Sequence, residues 1–291
     1  MVRLAVPDDT QRLKEIWALC FEDSAEYIDL YFTYRFRPGT MMVFEETDIS
    51  AMLSMLPLTL CTSRETYPAA YIYAVATHPD YQRRGICGQL LAKTHDYLKQ
   101  QGVALSILVP SSKELFSYYR RYAYDKQLDV FEQKFLADDL PATSGKHTSL
   151  SLQDFSRHRQ AFLSNLSDRF VWDEAALDYQ LRVSTMSGGV FYLETENQAG
   201  HPNYTGYVVA EKYGDTVYLK ETSFPQDQLE KAAGYTLQVL GGTSCVVRAP
   251  AIQSSYTLQS SMQPFVRPFA LASCYEEISD LSEAYLSLVL D

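Results

Sequence analysis

Glycine and arginine crowd one short stretch of this chain, Val75-Ala-Thr-His-Pro-Asp-Tyr-Gln-Arg-Arg-Gly-Ile-Cys-Gly-Gln-Leu-Leu91. An apolar run ends at His78-Pro79, and helical spacing of Leu90, Leu91, Thr94 and Leu98 begins just beyond Gly85. The first turn of a helix presents unpaired N–H groups and a partial positive charge. Glycines there let a pyrophosphate approach the backbone closely. Gln82, Arg83 and Arg84 add donors and charge beside it. The chemistry offered is anion binding, although solvated arginines on a strand–turn–helix connection would use the same residues. The run is neither G-x-x-x-x-G-K-[ST] nor G-x-G-x-x-G, since only Gly85 and Gly88 are present.

The elements around this turn follow from patterning. Residues 3–6 suit a strand, and Asp8, Asp9 and Thr10 supply capping chemistry for a helix to about Cys20. A second helix covers Ala25 to Tyr34. Met41 to Glu45 and Ile49 to Thr62 read as strands, with Pro57 marking a bulge or an edge in the second. Ala70 to Thr77 is a strand, Gly85 to Gln101 a helix closed by Gly102, and Ala104 to Val109 a wholly apolar buried strand. A short helix from Glu114 to Arg121 and a strand from Tyr124 to Gln133 complete the first half. Residues 140–149 have linker composition.

Beyond the linker, helices are expected at 153–165 and 173–183 and a strand at 189–195. Strands at 206–211 and 216–221 flank the turn Lys212-Tyr-Gly-Asp215, a hairpin signal. A helix over 226–240 ends at Gly241-Gly242, followed by a strand at 244–248. The order of elements is that of an α/β (α+β) layer fold. The second half repeats the order of the first, which suggests a duplicated fold, in pattern and not in matched residues.

Composition narrows the function classes. The chain has 291 residues, enough for one large domain or two ordinary ones, and 46% are apolar, enough for a sizeable core. No stretch reaches the ~18 consecutive apolar residues of a membrane helix, and the N-terminus lacks the apolar region of a signal peptide. A cytoplasmic protein without a membrane partner is therefore expected. Lys and Arg number 25 against 36 Asp and Glu, a net charge of −11. That balance argues against nucleic acid, whose affinity for proteins comes largely from basic side chains. It suits cationic small molecules or basic peptides, or simply solubility. The cysteines, Cys20, Cys61, Cys87, Cys245 and Cys274, are odd in number and far apart. They form neither a disulfide framework nor a C-x-x-C metal site, and no metal is expected.

The Val75–Leu91 stretch resembles motif A of the GNAT acetyltransferases, whose core is [QR]-x-x-G-x-[GA]. Gln82, Gly85 and Cys87 fall on the three defined positions, with Cys87 departing from the usual Gly or Ala. Tyr118-Tyr-Arg-Arg-Tyr-Ala-Tyr124 resembles motif B, F-Y-x-x-x-G-[FY], with Ala123 replacing Gly. The resemblance implies acetyl-coenzyme A as cosubstrate. It also implies backbone pairing of Val75 and Thr77 with the pantetheine arm, and pyrophosphate binding by Gln82, Arg83, Arg84, Gly85, Ile86, Cys87 and Gly88. Tyr119 falls on the family's general acid, protonating the departing thiolate. With reference pKa values of about 10 for tyrosine and about 8.5 for a thiol, that transfer is mildly uphill and needs geometry to help.

Length and layout look most like the enhanced-intracellular-survival type of GNAT enzyme. That likeness implies tandem GNAT-like domains, each a mixed, mostly antiparallel sheet flanked by helices. Residues 1–138 would form the catalytic domain and 150–291 a degenerate one without motif A, with the sterol-carrier-like third domain of that type not in evidence. The expected reaction is acetyl transfer to a primary amine, small-molecule or peptide. An alkyl ammonium is neutral in only about one molecule in a few thousand at pH 7, so a base is needed. His78, Glu114 and the terminal carboxylate of Asp291 are candidates, and none stands out. Cys87 and Ala123 leave open a coenzyme A-binding module without catalysis. Met52, Leu53, Met55 and Leu56 leave open a pocket for a longer acyl group, or plain core. The acceptor and the oligomeric state are not written in the sequence.

Overall fold

The computed structural model describes residues 1–196, 202–251, 265–278, 281–282 and 284–289. In the first half, β1 (Val2–Leu4) leads through a 3-10 turn to α1 (Thr10–Cys20) and α2 (Ala25–Tyr34). Then follow β2 (Met41–Glu45), β3 (Ile49–Cys61), β4 (Thr66–Thr77), α3 (Ile86–Gln100), β5 (Leu105–Leu108), α4 (Lys113–Arg120) and β6 (Lys126–Leu136). The second half contains β7 (Gly145–Ser149), α5 (Leu152–Leu163), β8 (Arg169–Val171), α6 (Glu174–Ser187), β9 (Gly188–Glu196) and β10 (Pro202–Tyr213). It closes with β11 (Thr216–Thr222), α7 (Leu229–Leu240), β12 (Ser244–Pro250) and β13 (Phe265–Cys274).

Local chemistry explains the helix starts. The Ser24 and Ser112 hydroxyls and the Asp173 carboxylate accept from the backbone N–H three residues on, opening α2, α4 and α6. The cap expected before α1 is different. Asp9 stands at the N-cap position without a side-chain cap bond, and its carboxylate takes Arg3 at 2.7 Å and the Val6 N–H at 2.8 Å. It therefore ties α1 to the sheet edge.

All strands but β8 line up in one sheet, in the order β1-β2-β3-β4-β5-β13-β6-β12-β11-β10-β9-β7, and β8 pairs with the far end of β3. Pairing is antiparallel except for β4 with β5 and β11 with β12. Helices cover both faces, giving the mixed, mostly antiparallel α/β layers expected. On one face of the first half Ile86, Leu90 and Leu91 of α3 pack on Leu53, Met55 and Ile72. On the other, Trp17, Tyr31 and Phe32 of α1 and α2 meet Met52, Leu56 and Tyr71, together with Phe155 and Tyr179 from the second half. A further core gathers under α7. Met52, Leu53, Met55 and Leu56 are thus divided between the two faces as core. Among the described residues no helix is long and apolar enough to cross a membrane.

Pro57 lies at an edge. It pairs with Ala70 on β4, while on its other side β2 stops opposite Ser54 and β8 begins opposite Thr59. The missing N–H therefore breaks no ladder. The bulge sits instead in β4, where the register to β3 shifts between Met52 and Ser54 and Ala74 adopts φ +49°.

Three strands depart from the sequence expectation, among them β8, which falls between the two expected helices. The last five residues of the supposed linker form β7, an edge strand along β9. The strand β13 was not anticipated, because Pro268 interrupts its pattern. The structure accommodates that proline with a register shift between Pro268 and Ala270. Strand β13 reaches back from the second half and inserts between β5 and β6.

Candidate active site

The parallel pairing of β4 with β5 covers only Ala69–Tyr71 against Leu105–Ile107, although β4 runs on to Thr77. Past Tyr71 the strands part, and the bulge at Ala74 bends β4 away. A left-handed alanine costs about 1–2 kcal/mol, so this backbone is held there by its surroundings. The opening leaves one side of the β4 backbone without a strand partner.

The turn after β4 is built for an uncapped helix start. His78 Nδ1 accepts from the Asp80 N–H at 3.3 Å and begins a 3-10 turn over Pro79–Tyr81. The Gln82 side-chain amide donates to the Thr77 carbonyl at 3.1 Å, and Arg84 donates to the Asp80 carbonyl at 2.7 Å with its guanidinium over the Tyr81 ring. Arg83 adopts φ +63° and Gly85, the N-cap of α3, φ +75°. Gly85 has no side chain to cap with, so the N–H groups at the start of α3 are left to face outward. Gln82, Arg83, Arg84 and Gly85 are exposed, Ile86 buries its side chain, and Cys87 and Gly88 are half-buried. The seven residues form the turn from β4 into α3, and none of them lines the cavity described below. Val75 lines the opening itself, whereas the Thr77 carbonyl is engaged by Gln82 and by the Cys20 thiol at 3.4 Å.

Helix α4 flanks the opening on the other side. Tyr119 is 8% exposed, and burial, with the Cys87 thiol close by, pushes its phenol well above the usual tyrosine range. It therefore stays protonated through the physiological range, as an acid must. The neighbouring Tyr118 phenol hydrogen-bonds Cys87, whose thiol is itself raised by burial. Tyr122 lies over Gly88: a Cβ there would come within 2.7 Å of the ring edge and hydroxyl. Ala123, at the usual glycine position of motif B, has φ +65°, so the turn keeps its left-handed shape without glycine.

Both elements open into one cavity of about 1140 Å³. Its walls include Ile72, Ala74, Val75, Leu108 and Tyr119 from the first half. The loop between α1 and α2 contributes Phe21, Glu22 and Asp23 together with Glu26 and Tyr27. The second half adds Glu211, Tyr213, Lys220, Arg248, Arg267 and Phe269. Sequence reading found none of these last two groups, because no motif marks them. Of the candidate bases, neither His78 nor Glu114 lines the cavity, and Asp291 lies outside the described residues. Within the cavity wall Glu211 is fully buried. It accepts from Gln180 and Ser184 at 2.9 Å, from Tyr213 at 2.8 Å and from Lys220 at 3.2 Å. Among the described residues no cluster of three or more His, Cys, Asp or Glu side chains could hold a metal ion.

Residues 1–126 match the family described as the acetyltransferase (GNAT) domain. No curated protein sequence matches the chain. Among solved structures it is similar to a probable N-acyltransferase from Enterococcus faecalis V583, at 17% identity and a TM-score of 0.69, over 94% of this chain and 72% of that one. A GCN5-related N-acetyltransferase from Anabaena variabilis gives 15%, 0.69, 94% and 72%. Eis1 from Mycobacterium abscessus gives 11%, 0.65, 94% and 73%. At these identities the likeness is one of fold, and it runs through both halves. The likeness of residues 1–126 is to a family whose chemistry is acyl transfer from acetyl-coenzyme A.

Proposed function

We propose that this chain transfers an acetyl group from acetyl-coenzyme A to a primary amine by direct attack, with Tyr119 as the acid that protonates the departing thiolate. The observation that carries this proposal is that Tyr119 and the parted strand β4 line one cavity, and that α3, the next α-helix after β4 in the chain, begins uncapped. In this scheme the pyrophosphate rests on the backbone from Arg83 to Gly88, with Gln82 and Arg84 shaping the turn beneath it. The pantetheine arm lies along Val75 and Thr77, and the thioester reaches the bulge. A β4 N–H there would steady the oxyanion formed as the amine attacks. The thiolate then leaves beside Tyr119; burial raises the phenol further above a thiol, so the proton transfer is uphill and rests on the geometry of the cavity.

The same scheme gives the two halves different tasks. Residues 1–138 hold the cofactor, and residues 150–291 form a second GNAT-like unit that closes the acceptor side. Its support is the repeated order β9-β10-β11 with β11 parallel to β12 and α7 between them, which mirrors β2-β3-β4, β5 and α3. The β11–α7 connection (223–228) has no arginine–glycine turn.

The test is release of coenzyme A during incubation of acetyl-coenzyme A with a panel of diamines, amino-acid esters and lysyl peptides. A positioned general acid contributes ~10²–10⁴ in rate. Tyr119→Phe should therefore lower kcat by at least about a hundredfold while the affinity for acetyl-coenzyme A stays. A variant as fast as the unaltered protein would remove Tyr119 from this role. Binding of the cofactor with no transfer to any amine would instead mark a binding module that does not turn over.

A further inference from the structure

Resting on that function, we infer that Asp23 takes the proton that the acceptor nitrogen sheds as it bonds to the acyl carbon. Among the described residues the cavity is lined by four carboxylates, Glu22, Asp23, Glu26 and Glu211. Glu211 has both carboxylate oxygens occupied by four donors, one of them the Lys220 ammonium. Glu22 and Glu26 are exposed, and among the described residues no hydrogen bond or ion pair fixes either one. Asp23 combines access with a fixed position. Its Oδ2 accepts from the indole N–H of Trp17 at 2.7 Å, and Trp17 is completely buried in the α1 core. Its other oxygen has no partner among the described residues and remains for a substrate.

Asp23 lines the cavity together with β4. Its charge reaches the phenols of Tyr73, the residue just before the bulge, and of Tyr179 on α6. Tyr73 in turn shares a 2.9 Å hydroxyl contact with Tyr27 of α2. The groups that reach Asp23 are Trp17 from α1, Tyr73 from β4 and Tyr179 from α6. None is a cation, so Asp23 is not neutralised by an internal partner. Base and acid lie on different elements around one cavity, Asp23 ahead of α2 and Tyr119 on α4. The arrangement lets one group receive a proton while the other gives one.

The step balances as follows. The ammonium reaching the cavity first loses one proton to solvent. The nitrogen lone pair then forms the N–C bond, the carbonyl π pair moves onto oxygen, and the remaining surplus proton passes to Asp23 Oδ1. Collapse of the oxyanion breaks the C–S bond, and the thiolate takes the Tyr119 proton. Asp23, at the exposed end of the cavity, returns its proton to water, and Tyr119 regains one from water. The net change is amine plus thioester to amide plus thiol.

The test compares Asp23→Asn, Asp23→Ala and Glu26→Gln on the amine panel, with cofactor affinity measured by calorimetry. An Asn oxygen can still accept from Trp17, so Asp23→Asn should keep the fold and the intrinsic Trp fluorescence. Its kcat should fall by about a hundredfold, with acetyl-coenzyme A binding unchanged. Added formate should restore part of the activity of Asp23→Ala, a response that a purely structural role would not give. Glu26→Gln should alter only KM for the amine, and only severalfold. An Asp23→Asn variant within threefold of normal kcat, or one whose loss is confined to KM, would overturn the inference and leave the acetyltransferase function standing. If the unaltered protein acetylates no amine of the panel, both fall.

Discussion

Gly88→Ala places a methyl group where the structure has a tyrosine. The new Cβ would meet Tyr122 Cε1 and Oη at 2.7 Å and Cζ at 3.0 Å. Ordinary carbon contacts lie at about 3.5–4.0 Å, so the ring must retreat by about 1 Å. Tyr122 is not free to do so without loss. Its ring packs 5.1 Å from that of Tyr118, which holds Cys87, and its N–H bonds the Tyr119 carbonyl at 2.8 Å. Ala123, already left-handed, follows directly. Overpacking of this kind costs about 1–3 kcal/mol. The better helix propensity of alanine returns at most about 1 kcal/mol. A net loss of about 1–2 kcal/mol is expected, which lowers Tm by roughly 2–8 °C in a chain of this size. Because the displaced ring borders the first turn of α3, acetyl-coenzyme A affinity should fall with it. The assay is urea denaturation with a parallel cofactor titration, on Gly88→Ala, Tyr122→Ala and the double variant. Removing the ring should relieve the clash, so the double variant should show a coupling of about 1 kcal/mol or more. If Gly88→Ala is as stable as the unaltered protein, or if Tyr122→Ala fails to rescue it, Tyr122 does not govern this position.

Two further outcomes follow from the buried polar groups. Arg159 and Glu221 are 2% and 0% exposed at their side chains and paired at 3.0 Å, with Tyr207 at 2.7 Å and Ser287 also on the carboxylate. Arg159→Met strands that charge and should cost about 3–5 kcal/mol, while adding Glu221→Leu should recover much of it, both read by urea denaturation. His95, between the rings of Tyr124 and Tyr275, is pulled down to about 4 chiefly by burial and secondarily by Lys99. Its folded-state pKa is depressed below the unfolded value of about 6.5. The neutral ring therefore favours folding above that value, and the contribution is lost as pH falls from about 6.5 toward 4. His95→Phe should flatten the stability–pH curve in that window, and an unchanged slope would refute it.

Which features were legible in the sequence follows from their range. The turn from His78 to Gly88 could be read because its determinants are local: a strand end, a 3-10 turn, a left-handed glycine and a helical stripe within fifteen residues. The same holds for α2, α4 and α6, whose caps sit three residues from the N–H groups they accept. As bases, His78 and Glu114 are suggested by the motifs beside them and Asp291 by its terminal carboxylate. Asp23 sits in an unremarkable loop, and only the distant strand β4 brings it to the cavity. Pro57 could be assigned to an edge or a bulge because a missing N–H restricts a strand wherever it lies. The actual bulge at Ala74 left no trace, since alanine is compatible with either backbone.

By itself the sequence determined the layers, the uncapped start of α3 beside an arginine–glycine turn, and a tyrosine cluster one helix further on, all consequences of short-range sterics and periodicity. It could not determine strand partners, because a period of two says which face a residue takes and nothing about which strand lies alongside. Tertiary pairing alone inserted β13 between β5 and β6 across the length of the chain. It also set where β4 leaves β5, and so opened the cavity. It brought Glu211, Lys220 and Phe269 of the second half into the wall of the cavity that Tyr119 of the first half lines. The physical reason is that hydrogen-bond ladders and buried contacts are satisfied between segments far apart in sequence, and the cleft exists only where one such ladder stops.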